Sequence, residues 1–179
     1  MTDLFGQALL DYQNDNYTED LYTETNISEE DVLPLPYLFR NFSEMPPLEQ
    51  LALNTATGKV LDVGCGSGSI SLHLQENGLE VTSIDTSGGA IEVCNLRGLK
   101  KAREIDILQL NDEKFDTILL LMNGTGIFQK LDYIDIYLQH LKSLLTPNGQ
   151  IIIDSSDLRY MYESGEEEGS IMVPSGNYY

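Results

Sequence analysis

The chain has 179 residues and carries ten Lys and Arg against 29 Asp and Glu, a formal charge of −19. That length holds one domain with a real core, and the charge repels the phosphates of nucleic acids and of anionic lipid surfaces, which argues against both as partners. Apolar runs fall short of the ~20 residues of a membrane-spanning helix, and Met1-Thr-Asp-Leu-Phe-Gly6 shows no basic region leading into an apolar core, so the expectation is a soluble, cytoplasmic protein with no membrane contact.

Residues 1–32 space Tyr12, Tyr17 and Tyr22 through Asp, Glu, Asn and Thr, a composition that predicts a flexible acidic arm whose tyrosines can serve as a lid. A domain is expected over 33–179, with its core at 55–155. Two short helices come first, one entered from Leu33-Pro-Leu-Pro and one begun by Pro46-Pro47. A strand over 59–63 leads into a helix over 69–77 stopped by Gly78, and a strand over 79–84 ends at Asp85. A helix over 87–97 closes at Gly98, followed by a weak strand over 103–107 and a strongly apolar one over 115–122. A helix over 131–145 with Ile134, Leu138, Leu141 and Leu145 on one face precedes a turn at Pro147-Asn-Gly149 and a fifth strand over 150–154. Strands alternating with helices predict an α/β three-layer sandwich around a mostly parallel sheet.

In such a sheet ligands sit at the carboxyl ends of the strands, where the first strand turns into a helix. The run Val60-Leu-Asp-Val-Gly-Cys-Gly-Ser-Gly68 occupies that position, and Gly64, Gly66 and Gly68 let the backbone approach a ligand closely. Dinucleotide sites want glycine at position 69, which is Ser here. The carboxylate of Asp62 would repel a pyrophosphate and suits a cationic sulfonium ligand carrying an ammonium group. Cys65 sits inside this loop and Cys94 on a helix, in neither metal-ligand nor disulfide-framework spacing. Both read as reduced packing thiols, and His73 and His140 are too few and too scattered for a metal site.

The glycine run resembles motif I of the class I S-adenosylmethionine-dependent methyltransferases, a Rossmann-like family, and the resemblance spans roughly residues 55–155. It implies S-adenosylmethionine as cofactor and S-adenosylhomocysteine as product. Asp85, 21 residues after Gly64 and followed by Thr86, matches the acid that accepts from both ribose hydroxyls. Asp106 with Ile107 resembles the pair that reads adenine, a carboxylate for the amino group and the next backbone amide for the ring, although a shifted alignment would use Glu104 instead. Asn123-Gly-Thr-Gly126 falls where motif IV lines the methionine end, and it lacks the Pro-Pro-aromatic sequel of base-amine methyltransferases. Tyr37 and Arg40 lie three apart, so on a helix they share a face; Arg40 suits either the methionine carboxylate, an acidic substrate or an internal ion pair.

Methyl transfer from a sulfonium needs little acid or base help, so the family implies no triad and the catalytic residues stay unassigned. The implied reaction is in-line methyl transfer to a small molecule or a protein. Two other readings stay open: a cofactor-binding module without turnover, and an NAD-dependent oxidoreductase. The family adds two strands after the fifth, whereas 25 residues follow Asp154, among them the acidic run at 163–170 and Ile171-Met-Val173. A truncated chain or a sheet completed by another subunit is therefore expected, with Ile151-Ile-Ile153 as an open edge for homo-oligomers.

Overall fold

A computed structural model describes residues 2–17, 19–24 and 30–157. In chain order it contains helix α1 (Leu4–Gln13), strands β1 (Leu21–Thr23) and β2 (Asp31–Leu33), and helices α2 (Leu35–Leu38) and α3 (Pro47–Thr55). The core follows as β3 (Lys59–Val63), α4 (Ser69–Glu76), β4 (Glu80–Asp85), α5 (Gly88–Leu96), β5 (Ala102–Glu104), β6 (Phe115–Leu120), α6 (Ile134–Ser143) and β7 (Leu145–Ile153). The five core strands are parallel in the order β5-β4-β3-β6-β7. The chain leaves β3 toward one edge and returns through β6 on its other side, so a crevice opens above the carboxyl ends of these two strands.

Strand alternation divides the core between two faces. On β3, Val60 packs with Ala52, Leu53 and Leu74 on one face, while Leu61 and Val63 join Phe128, Tyr137 and Leu141 on the other. On β6, Leu119 follows Val60 and Ile118 and Leu120 follow Leu61. The sheet is thus covered on both sides, as its apolar strands require.

Four sequence expectations are corrected in detail. Residues 4–13 of the expected flexible arm form a docked helix. Asp3 caps it by accepting from Gly6 N at 2.8 Å, and Leu9, fully buried, packs with Ala90 and Val93 of α5. The acidic residues of this segment mask an apolar stripe, Phe5, Leu9 and Tyr12, at helical spacing. The third strand covers only Ala102–Glu104, because Asp106 caps a short 3-10 turn over Ile107–Gln109. The helix expected over 131–145 begins as a 3-10 turn, Leu131–Tyr133, and becomes α-helical at Ile134. The expected turn at Pro147–Gly149 is a bulge within β7: Phe115 pairs with Leu145 but Thr117 with Gln150, and Asn148 takes φ 70°. The acidic run at 163–170 and the strand expected at 171–173 lie outside the described residues. Among those described, no helix is long and apolar enough to cross a membrane.

One charged pair is built into the core. Arg40, 6 % exposed, donates both Nη2 bonds to Glu49 on α3 at 2.5 and 2.6 Å, lies over the Tyr37 ring at 3.9 Å, and donates Nη1–H to the Tyr37 carbonyl. Removing one partner leaves the other charge buried, which costs about 3–5 kcal/mol, whereas an apolar pair of similar volume is often neutral. Urea unfolding of Glu49→Ala is expected to show a loss of that size, and the double variant Arg40→Met, Glu49→Leu a loss below about 1 kcal/mol.

Candidate functional site

The glycine loop leaves β3 and is tied at once to β4: Gly64 N and Cys65 N both donate to Ile84 O, at 2.9 and 3.0 Å. Asp85, the next residue on β4, accepts from Gly66 N and from Ser87 N, each at 2.9 Å. An ionised carboxylate has roughly four lone-pair sites, so two remain to face a ligand. The loop ends at Gly68, N-cap of α4, where φ is +81° and a Cβ would meet Leu99 Cδ1 at 2.7 Å and Cys94 Sγ at 2.9 Å. Only glycine fits that position. Arg97 pins the loop from outside, its Nη1 donating to Ser67 O at 2.7 Å and to Ser69 Oγ at 3.0 Å.

Two cavities meet at Val63, Gly64 and Ile127. One, of about 220 Å³, holds Asp85, Thr86, Asp106 and Ile107, with Tyr137 and Gln129 as its far wall. Asp106, whose Oδ1 caps Leu108 N at 2.8 Å, lines it, and Glu104 does not. The other, of about 250 Å³, is lined by Asp62, Gly64, Cys65, Gly66, Arg40 and Asn123 together with an apolar set led by Phe5, Leu33, Met45 and Met122. Gly68 stands behind this cavity as the helix cap, outside its lining.

Asp62 is 2 % exposed and accepts from Ser71 Oγ at 2.6 Å, and Ser71 Oγ in turn accepts from Ser83 Oγ at 2.6 Å. Burial pushes its carboxyl up to about 6, the Ser71 bond pulls it back, and the charge of Asp85 raises it further. Cys65 Sγ lies 3.7 Å from Cys94 Sγ, and that contact together with burial drives the Cys65 thiol upward, which keeps it protonated. Asn123 has φ 64°, and its Oδ1 accepts from Ser156 N at 3.0 Å.

Tyr37 departs from its expected place. It lines neither cavity, because α2 ends at Leu38 and the Tyr37 ring serves instead as a platform for the Arg40 guanidinium. The tyrosines expected to form a lid also lie elsewhere: Tyr12 packs on Tyr17 and Phe39, with ring centroids 5.4 and 4.5 Å away. Phe5 and Leu33 from the N-terminal elements line the larger cavity instead. Sequence reasoning missed both Phe5, whose only signal is the stripe it shares with Leu9 and Tyr12, and Tyr137, which lay outside the apolar face expected of its helix.

A crevice on a parallel sheet, with an acid at the end of the second core strand and a glycine loop after the first, defines a Rossmann-like nucleoside-binding architecture. Residues 61–151 match the methyltransferase domain family, and the chain belongs to it. A SAM-dependent methyltransferase from Bacteroides fragilis, solved in complex with S-adenosyl-L-homocysteine, superposes with a TM-score of 0.87 and 43 % identity over 94 % of this chain and 70 % of its own. A ubiquinone biosynthesis O-methyltransferase of Pasteurella multocida is 35 % identical over 57 % of this chain and 48 % of its own length. A cypemycin N-terminal methyltransferase of a Streptomyces species is 28 % identical over 65 % of this chain and 49 % of its own. The chain thus spans about half the length of these two curated relatives.

The raised carboxyl of Asp62 sets a pH dependence. Between the ordinary value of 3.8 and about 6 the folded chain holds a proton that the unfolded chain releases, so stability falls as pH rises through that window and stays lower above it. Relative to Asp62→Asn, urea unfolding of the natural chain is expected to lose about 2 kcal/mol between pH ~4 and pH ~7. Parallel pH curves for the two proteins would contradict this origin.

Proposed function

We propose that this chain binds S-adenosylmethionine across the two cavities and transfers its methyl group to a small molecule or a protein. One observation carries the reading: the larger cavity is lined by a buried carboxylate, Asp62, and by a buried guanidinium, Arg40, whose Nε–H has no hydrogen-bond partner. A buried donor left unpaired is costly, and a ligand carboxylate would satisfy it. Asp62 and Arg40 together complement the ammonium and carboxylate of an α-amino acid tail, which a nicotinamide dinucleotide lacks. The smaller cavity offers Asp85 and Thr86 for ribose hydroxyls, and Asp106 with Ile107 for adenine.

When bound, the sulfonium supplies an electrophilic methyl and leaves as a neutral thioether. The chain's own residues hold and orient. Asp62 faces the ligand's ammonium, whose charge would favour the ionised carboxylate, the glycine loop admits the ligand's backbone-close approach, and the apolar set around Phe5, Met45 and Met122 excludes water from the transfer point. The Bacteroides neighbour's bound S-adenosyl-L-homocysteine supports the same cofactor here.

Calorimetry is expected to show binding of S-adenosylhomocysteine and none of NAD, and Asp85→Asn to weaken that binding tenfold or more, since a hydrogen bond to a charged group is worth about 1.5–3 kcal/mol. Label from S-adenosylmethionine is then expected in a fraction of cell extract. Binding without label transfer would favour a binding module, and no binding of either nucleoside would overturn the reading. We further propose self-association through the β7 edge, supported by the half-buried Ile151, Ile152 and Ile153 at the border of the described sheet. A strictly monomeric elution profile at high micromolar concentration would count against it.

A further inference from the structure

The turn after β6 is held in a left-handed conformation that Met122 disfavours and Asn123 tolerates better than most residues. Met122 and Asn123 are consecutive non-glycine residues with φ of 61° and 64°, in the left-handed region where a side chain crowds its own backbone. Such a pair persists only where its surroundings impose it. Here they do: Asp154 accepts from Met122 N through Oδ2 and from Gly124 N through Oδ1, both at 2.9 Å. The parallel register explains how it reaches them. Leu120 pairs with Ile153, and Asp154 N donates to Leu120 O at 3.2 Å, so the first residue beyond β7 stands beside the first residues beyond β6. Gly124 lets the turn fold back over the end of β6, because a Cβ there would meet Leu120 Cβ at 2.6 Å.

The clamped turn is a wall of the larger cavity. Leu121, Met122, Asn123 and Gly124 all line it, facing the glycine loop, while Asp154 itself stands outside that lining. The smaller cavity, with Asp85 and Asp106, contains none of these residues. We infer that Asp154 is a positioning residue: its carboxylate fixes the Met122–Gly124 turn, and through that turn it shapes the wall at the amino-acid end of the ligand and at the point of transfer. The inference rests on the proposed S-adenosylmethionine reading of the two cavities and assigns to Asp154 a part in it without contact to the ligand. A carboxylate suits the task because it presents two acceptors to two amides of one turn and its charge strengthens both bonds. An amide in its place turns one acceptor into a donor that faces an N–H.

The test compares two probes on the full chain, S-adenosylhomocysteine, which fills both cavities, and adenosine, which fills only the smaller. In Asp154→Asn the affinity for S-adenosylhomocysteine is expected to fall tenfold or more while that for adenosine stays within twofold. Amide exchange at Met122 and Gly124 is expected to quicken and the Tm to move by less than about 4 °C. Asp85→Asn, by contrast, is expected to weaken both probes. Unchanged S-adenosylhomocysteine affinity in Asp154→Asn, or an equal loss for both probes, would overturn the inference. Failure of the natural chain to bind S-adenosylhomocysteine would instead remove the reading of the site, and this role with it. Should Asp154→Asn fail to fold, Asp154→Ser, which keeps one short acceptor, is read in the same way.

Discussion

The carboxylate of Asp85 is the knot on which the ligand face of this protein depends. It stands at the end of β4, takes the Gly66 amide of the loop on one oxygen and the Ser87 amide at the head of α5 on the other. Ser87 then caps α5 through Ala90 N at 3.0 Å and donates its hydroxyl to Asp3 at 2.8 Å. Loop, second core strand, following helix and N-terminal helix are thereby connected through one side chain and one serine. Phe5 closes the circuit by lying over Gly66, where an added Cβ would come within 3.8 Å of its ring. A shift of α1 is therefore felt at the residue assigned to the ribose, through hydrogen bonds and packing rather than through distance.

Charge within this acidic chain is handled by two different means on either side of the larger cavity. Arg40 is neutralised by Glu49, and its buried Nε–H has no partner among the described residues. Asp62 has no ion-pair partner among the described residues; its burden is met by a serine relay and by a proton retained up to about pH 6. One group offers a directed donor, and the other a carboxylate whose ionised form a cationic neighbour would favour. On the proposed reading, that asymmetry gives a bound amino acid tail a preferred direction in the cavity.

The sheet was legible because its strands are short apolar runs closed by turn residues: 59–63, 79–84 and 115–122 each fell within two or three residues of the observed limits. The place of the glycine loop was legible from the strand order, since the crevice of a parallel sheet has a fixed place, and Asp85 was singled out through the family resemblance. The misses have one cause, that a side chain's partner is set by tertiary contact. Helix α1 looked like a loose arm because its stability comes from the face it lays on α5 and from Asp3 reaching Ser87 and Gly89, 84 and 86 residues away. Tyr37 was placed on a helix with Arg40, whereas α2 ends two residues before Arg40, and stacking together with a hydrogen bond to the Tyr37 carbonyl brings the pair together. The turn itself is marked by Asn123-Gly124, but the left-handed backbone at Met122 left no signature, since nothing in a methionine announces it.

Gly89 shows how a glycine near a ligand motif can owe its identity to something else. A Cβ there would press on the backbone of Gly6, with contacts of 2.5 to 2.7 Å to its main-chain atoms. The residue touches neither cavity. Its lack of a side chain is what lets two helices approach backbone to backbone, so Gly6 and Gly89 form a matched pair under common constraint. Among homologues, position 89 should then drift together with the N-terminal helix and independently of the cofactor loop. A relative that has lost or replaced that helix would be free to place a larger residue there while keeping every binding glycine intact.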